Sequence, residues 1–163
     1  MSEVNPHYGY IQFEGIKGES GDSGHTGWTG FDNFCVQTLN PASTDDISGL
    51  SAATPTIDLI QIAFELEKAY VTMRKFLLQG KHIPTVTIEV MKRGEGKDTP
   101  WQKIVLTNVL FVYLNVSISA GFRYCQLGMD FEQYDETYTG QKPDGTADAA
   151  IKHGYNRYTN VVS

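Results

Sequence analysis

The chain has 163 residues, with 13 Lys or Arg against 19 Asp or Glu, a formal charge of −6 and a pI near 5.1. That length builds one domain with a sizeable core and is short for two ordinary ones, so residues 1–163 are read as a single domain. The acidic balance, with no basic stripe, excludes a nucleic-acid surface and a surface for anionic membranes, both of which need clustered Lys and Arg.

No apolar run approaches a membrane span, so no membrane insertion is expected. The start, Met-Ser-Glu-Val-Asn-Pro-His-Tyr, has neither the basic nor the apolar region of a cleaved secretion signal. Cys35 and Cys125 both lie in apolar, strand-like runs. That predicts two buried free thiols in a reducing cytoplasm rather than a disulfide.

In chain order, residues 8–14 alternate, with Ile11 and Phe13 on one face and Tyr10, Gln12 and Glu14 on the other, which predicts a first strand. Residues 15–28 form a Gly-punctuated loop carrying acids, hydroxyls and one histidine. It superficially resembles a phosphate-cradling loop, but lacks the Gly-Lys-Ser/Thr ending and a following helix, and its acids would repel phosphate. Asp22 and Glu19 do not have calcium-loop spacing, and His25 stands far from the other histidines, so no metal or cofactor is expected.

Residues 28–39 predict a strand covered on both faces. Residues 40–56 are polar and small, a long connection without a pattern, which is either a functional extension or a hairpin tip. Residues 56–64 predict a strand leading into the one helix, about 66–79, where Leu66, Ala69, Tyr70, Met73, Phe76 and Leu77 make an apolar stripe at helical period. Arg74 and Lys75 near its end and Gly80 just after it read as a stop.

Alternation returns with Val86, Ile88 and Val90, then residues 94–100 read as a hairpin turn. Two strands are expected next, 102–106 and 108–119, the second with Leu110, Val112, Leu114, Val116 and Ile118 on one face. Ala120-Gly121 turns the chain, and a last strand with Cys125, Leu127, Met129 and Phe131 on one face ends near Tyr138. Residues 139–163 read as a polar C-terminal segment.

The spacing Ile16-x-Gly18-Glu19-Ser20-x-Asp22-x-x-His25-x-Gly27-Trp28 resembles the signature loop of the Hcp family, the tube proteins of type VI secretion systems. Later landmarks arrive in family order. Leu106-Thr107-Asn108-Val109 is similar to the family's Leu-x-Asn-Val strand, and the closing run carries Tyr155, Asn156 and Asn160 where the family has Trp, Asp and Asn. Departures occur at the helix start, where Glu67 to Val71 replace the family's Ser-Ser-Pro run, and around 125–131, which lacks the usual acid.

The resemblance implies a mainly β fold, a β-barrel or two-sheet sandwich with one docked helix. It implies a structural signature loop at Gly18, Glu19, Ser20, Asp22, His25 and Trp28. The long loop 40–56 would contact neighbouring subunits, through Ser43, Asp45, Asp46, Ile47 and Leu50. It also implies hexameric rings stacked into a tube that carries effector proteins in its lumen, with sheath, spike and baseplate proteins as partners. The protein would be cytoplasmic before assembly and then secreted without a cleaved signal.

Three function classes remain to be weighed. An enzyme needs a constellation, and the sequence has no nucleophile elbow, no HExxH and no metal-spaced Cys or His; the acid pairs Asp45-Asp46 and Asp135-Glu136 read as solvated charges. A stand-alone β-sandwich that binds a ligand such as a carbohydrate accounts for the Tyr-rich strands and the Gly-rich loop. A self-assembling ring accounts in addition for sheet edges and surface aromatics that need partners.

Overall fold

The first strand, β1 (Gly9–Phe13), buries Ile11 and Phe13 and turns Gln12 to water, as period-two alternation requires. The computed structural model describes residues 9–45, 47, 49–92 and 99–163. Beyond β1 come β2 (Thr29–Phe31), β3 (Asn33–Cys35), β4 (Thr38–Leu39), β5 (Ala42–Asp45), β6 (Gly49–Ala52), β7 (Thr56–Ile57) and β8 (Ile60–Glu65). The helix α1 (Ala69–Gln79) is followed by β9 (Ile83–Lys92), β10 (Thr99–Ser119), β11 (Phe122–Gln141), β12 (Ala147–Asn156) and β13 (Val161–Val162).

The main sheet runs β13-β12-β11-β10-β9-β1-β2, all antiparallel. Because β10 lines one edge of β11 along its length, the other edge is shared. β8 takes its first half, Tyr124 to Met129, and β12 takes the second, from Gln133 on. β3 pairs with β8, and Asp32, between β2 and β3, donates its N–H to Ala63 O at 2.9 Å. The sheet thus curls round on itself and closes at Asp32, which removes two edges that would otherwise stand open.

Inside lie Ile11, Phe31, Ile60, Phe64, Ile88, Ile104, Leu106, Leu127 and Met129, all fully buried, with α1 docked through Ala69, Met73 and Phe76. Each large side chain here contributes about 1.5–3 kcal/mol of burial before entropy is counted.

The helix departs from the sequence expectation at its start. It begins at Ala69, three residues later than position 66, because Leu66 still donates its N–H to Arg123 O of the sheet at 3.1 Å. Its end is as expected: Gly80 is left-handed, and the N–H groups of Gly80 and Lys81 close on Leu77 and Phe76 carbonyls. The last turn itself holds no cation. Arg74 instead lies over the Tyr70 ring at 5.5 Å.

β10 is one strand, not two, and its core face departs from the expected one through residue 112 and matches it beyond, where Leu114 and Val116 pack against the core. Core residues run Ile104, Leu106, Val109, Phe111 on β10 and Tyr134, Phe131, Met129, Leu127 on β11. Both strands step out of alternation at Asn108, whose φ is 53°, while pairing continues from Thr107–Gln133 to Val109–Phe131. Asn tolerates that backbone. Its side chain is held there: Asn108 Oδ1 accepts from His82 Nδ1 at 2.6 Å, and Nδ2 donates to Glu132 at 2.8 Å.

A bulge between Phe111 and Tyr113 resets the phase again, so Phe111 is buried and Val112 exposed before it, while Leu114 and Val116 pack against the core beyond it and Ile118, farther along that face, is exposed. Past the bulge Tyr113 pairs with Gly128, and a Cβ on that glycine would sit 2.2 Å from the Tyr113 ring.

Other expectations change as well. Residues 28–39 form three short strands rather than one. Cys125 is buried, its thiol pushed up by burial, but Cys35 is exposed, because β3 turns that face to water; both thiols are free. The polar segment 139–163 contains β12 and β13, whose strand structure rests on backbone pairing rather than on an apolar face. Within 40–56 the chain forms two small ribbons, β4–β7 and β5–β6. Tyr8, Asp46 and most of the expected turn at 94–100 lie outside the described residues.

Candidate functional site

The loop between β1 and β2 is built on backbone pairing that glycine makes possible. Gly18 donates its N–H to Gly27 O at 2.8 Å, Ser20 to Trp28 O at 2.9 Å, and Gly27 to Ser20 O at 2.9 Å. Gly18 is buried in that crossing. A Cβ there would meet Trp28 O at 2.3 Å and Thr29 Oγ1 at 2.6 Å.

The far half of the loop is organised by Asp22 and His25. The Asp22 carbonyl accepts from His25 N–H and Thr26 Oγ1, its N–H donates to Ser20 Oγ, and its carboxylate accepts from Gly24 N–H. His25, only 5% exposed, places Nδ1 2.7 Å from Asp22 Oδ2 and Nε2 2.7 Å from Glu89 Oε2 on β9. Ionised carboxylates only accept, so an imidazolium serves both while a neutral ring serves one.

The ring is stacked on Tyr10 at 4.3 Å and meets Trp28 edge-on at 4.9 Å. Lys103 Nζ on β10 lies 3.7 Å from the other oxygen of Glu89. The His25 hydrogen bond holds the Asp22 carboxyl below its usual range.

A third tie fixes the near half. Glu67, just before α1, accepts from Thr29 Oγ1 at 2.6 Å and from Glu19 N–H at 3.0 Å. Burial pushes the Glu67 carboxyl up. The loop is thereby pinned to β1, β9 and the helix start at once.

The structure thus brings Ser20, Asp22, His25 and Trp28 together, with Glu19 and Gly18 in the pinned near half. Tyr10, Glu67 and Glu89 complete the set and were not singled out from sequence. Glu89 sits on the polar face of an alternating strand, 64 residues from His25. Its only sequence signal is that placement. Among the described residues no group of three or more His, Cys, Asp or Glu is positioned to hold a metal ion.

The second set lies on the β5–β6 ribbon. Ser43 faces Ser51, their hydroxyls 3.2 Å apart, and Leu50 faces Thr44. Ile47 at the tip is 99% exposed and Leu50 76% exposed. The backbone of Asp45 pairs with Gly49, and Asp46 lies outside the described residues. Among the described residues the ribbon pairs with no other strand.

This fold has counterparts among solved structures. A solved type six secretion system protein superposes with a TM-score of 0.90 at 20% identity, covering 97% of this chain and all of that one. Hcp1 from Salmonella typhimurium gives 0.77 at 18% identity over 95% of this chain and 97% of its own. A type VI secretion system effector from Yersinia pestis gives 0.68 at 19% identity, over 91% and 98%. No curated protein matches the sequence. A family model described as type VI secretion system effector, Hcp, matches residues 10–142, a span that includes the pinned loop, the helix and the long hairpin of β10 and β11. The chain therefore belongs to the Hcp family of type VI secretion proteins.

Proposed function

We propose that this protein is a structural, non-catalytic subunit of the type VI secretion inner tube. Copies form hexameric rings, and rings stack into a tube that sheath contraction expels, with effector proteins carried in the lumen. Sheath, spike and baseplate proteins are the other partners. The subunit is cytoplasmic before assembly and secreted with the tube.

The observation that carries this reading, beyond family membership, is the β5–β6 ribbon. It presents Ile47 and Leu50 to water and, among the described residues, pairs with no third strand. An isolated two-stranded ribbon is marginal in water, so its apolar residues support a contact between copies. Few anchors on a narrow element suit a junction that must form and later separate.

Native mass measurement and negative-stain microscopy of the purified protein test the proposal. Ring-shaped oligomers are the expected result. A strict monomer at high concentration would overturn it and favour a stand-alone ligand-binding module.

A further inference from the structure

Among the exposed apolar features of the described residues, two bear on assembly. The first is one face of the β5–β6 ribbon. The register places Ala42 opposite Ala52 and Thr44 opposite Leu50, so these four share a face, while Ser43 and Ser51 share the other. That is the alternation of a strand pair with one side meant for cover. The hydroxyl side is satisfied by its own Ser43–Ser51 contact. The Leu50 side is not covered.

The second feature is the far end of the β10-β11-β12 sheet, where the core face runs on into water. Rows along this face are Leu106–Tyr134–Tyr155, then Ile104–Glu136–His153, then Gln102–Tyr138–Ile151. Tyr134 and Tyr155 are buried, whereas Ile151 is 73% exposed. Trp101 meets Tyr138 edge-on at 6.2 Å, and the Lys92 ammonium stands 4.3 Å from the Trp101 ring centre. Trp101, Tyr138 and Ile151 form an apolar step with a cation at its rim.

We propose that the Leu50 face of the ribbon of one copy docks on the Trp101–Tyr138–Ile151 step of a second copy. This rests on the reading that copies assemble, and adds the seat. Charge favours the pairing, because residues 42–52 contain two acids and no base while Lys92 borders the step. Geometry gives it direction. The two patches differ and every copy carries both, so the contact is heterologous and repeats from copy to copy instead of closing a two-fold dimer.

Cross-linking locates the seat. In a Cys35→Ser background, with Cys125 buried, one protein carries Leu50→Cys and another Ile151→Cys; the two are mixed with a short bis-maleimide. A control mixture pairs Leu50→Cys with Gln12→Cys, an exposed site on β1. All three sites are exposed, so parent-like melting checks that each variant folds. The expected yield of linked dimer for the 50–151 mixture is about tenfold that of the control, a preference of about 1.4 kcal/mol. Association by native mass without that enrichment would overturn the seat and leave the assembly reading standing. Monomers in every mixture, with no enrichment, would overturn both.

Discussion

The loop at 15–28 and the ribbon at 42–52 are both made largely of small and polar residues, yet the fold treats them in opposite ways. The loop is tied down by a nearly buried histidine that reaches a carboxylate on β9, by Glu67 at the helix start, and by a glycine crossing that admits no side chain. The ribbon satisfies its own backbone and little else. What separates them is whether residues distant in sequence supply partners. Polar segments are fixed by specific hydrogen bonds, and composition does not encode those.

The comparison breaks first at His25. Replacing it by Ala removes the ring nitrogens that bridge Asp22 and Glu89 and the ring between Tyr10 and Trp28, with an expected loss of about 2–4 kcal/mol in denaturant melts. His25→Phe keeps the stack without the ring nitrogens and should recover only part of that loss. Equal stability of all three proteins would show that the loop is not held there.

Gly18→Ala comes next, at about 1–3 kcal/mol, because the added methyl meets the Trp28 carbonyl and the backbone must shift. A parent-like melting temperature would mean that the crossing is looser than described.

Acid should loosen the same loop, more gently. The Asp22 carboxyl is depressed in the folded protein, so its stabilisation is present above the ordinary Asp range and is lost as pH falls through the depressed value. Glu67 is raised by burial and works in the opposite sense. Its folded form favours the proton, so stability declines as pH rises from the ordinary Glu value through the raised one. Melts of Asp22→Asn and Glu67→Gln across about pH 3 to 7 should each remove one of these limbs, with opposite slopes. Parallel profiles for parent and variants would contradict both assignments.

The smallest effect on stability is expected at the ribbon. Exchanging residues 43–52 for a short Gly-Ser turn should move stability by no more than about 0.5 kcal/mol, while impairing association between copies and export. A variant that assembled and was exported like the parent would reduce the ribbon to a hairpin tip.

Much of the fold was legible because apolar alternation was intact. Ile11 and Phe13, Val86 and Ile88, and the stripe Ala69, Met73 and Phe76 all face inward as their spacing predicts. Legibility failed where something other than burial decides. The step at Asn108 and the bulge near Val112 break period two on β10, so its inward face between them could not be phased from sequence, whereas Leu114 and Val116 beyond the bulge face the core as expected. β12 is exposed from Ala147 to His153 and is a strand by pairing alone, which leaves no hydrophobic trace. Cys35 sits among apolar residues on a strand only three residues long, too short to carry a phase. At the candidate site, the Gly-rich loop and His25 stood out, whereas Glu89, Glu67 and Tyr10 read as ordinary surface or strand residues until the chain folded back on them.

The contact between Tyr113 and Gly128 bears on how the chain finds this structure. β10 and β11 are the longest antiparallel pair, and a slide by two residues would keep most side chains on the correct faces. It would also move the Tyr113 ring off the one partner that has no side chain, onto Gln126 or Asp130. The glycine therefore works as a keyway. A hairpin paired in a neighbouring register would carry this misfit, which sets it apart in energy from the native one. The gap between the native pairing and its nearest competitors is thus widened locally, at the bulge.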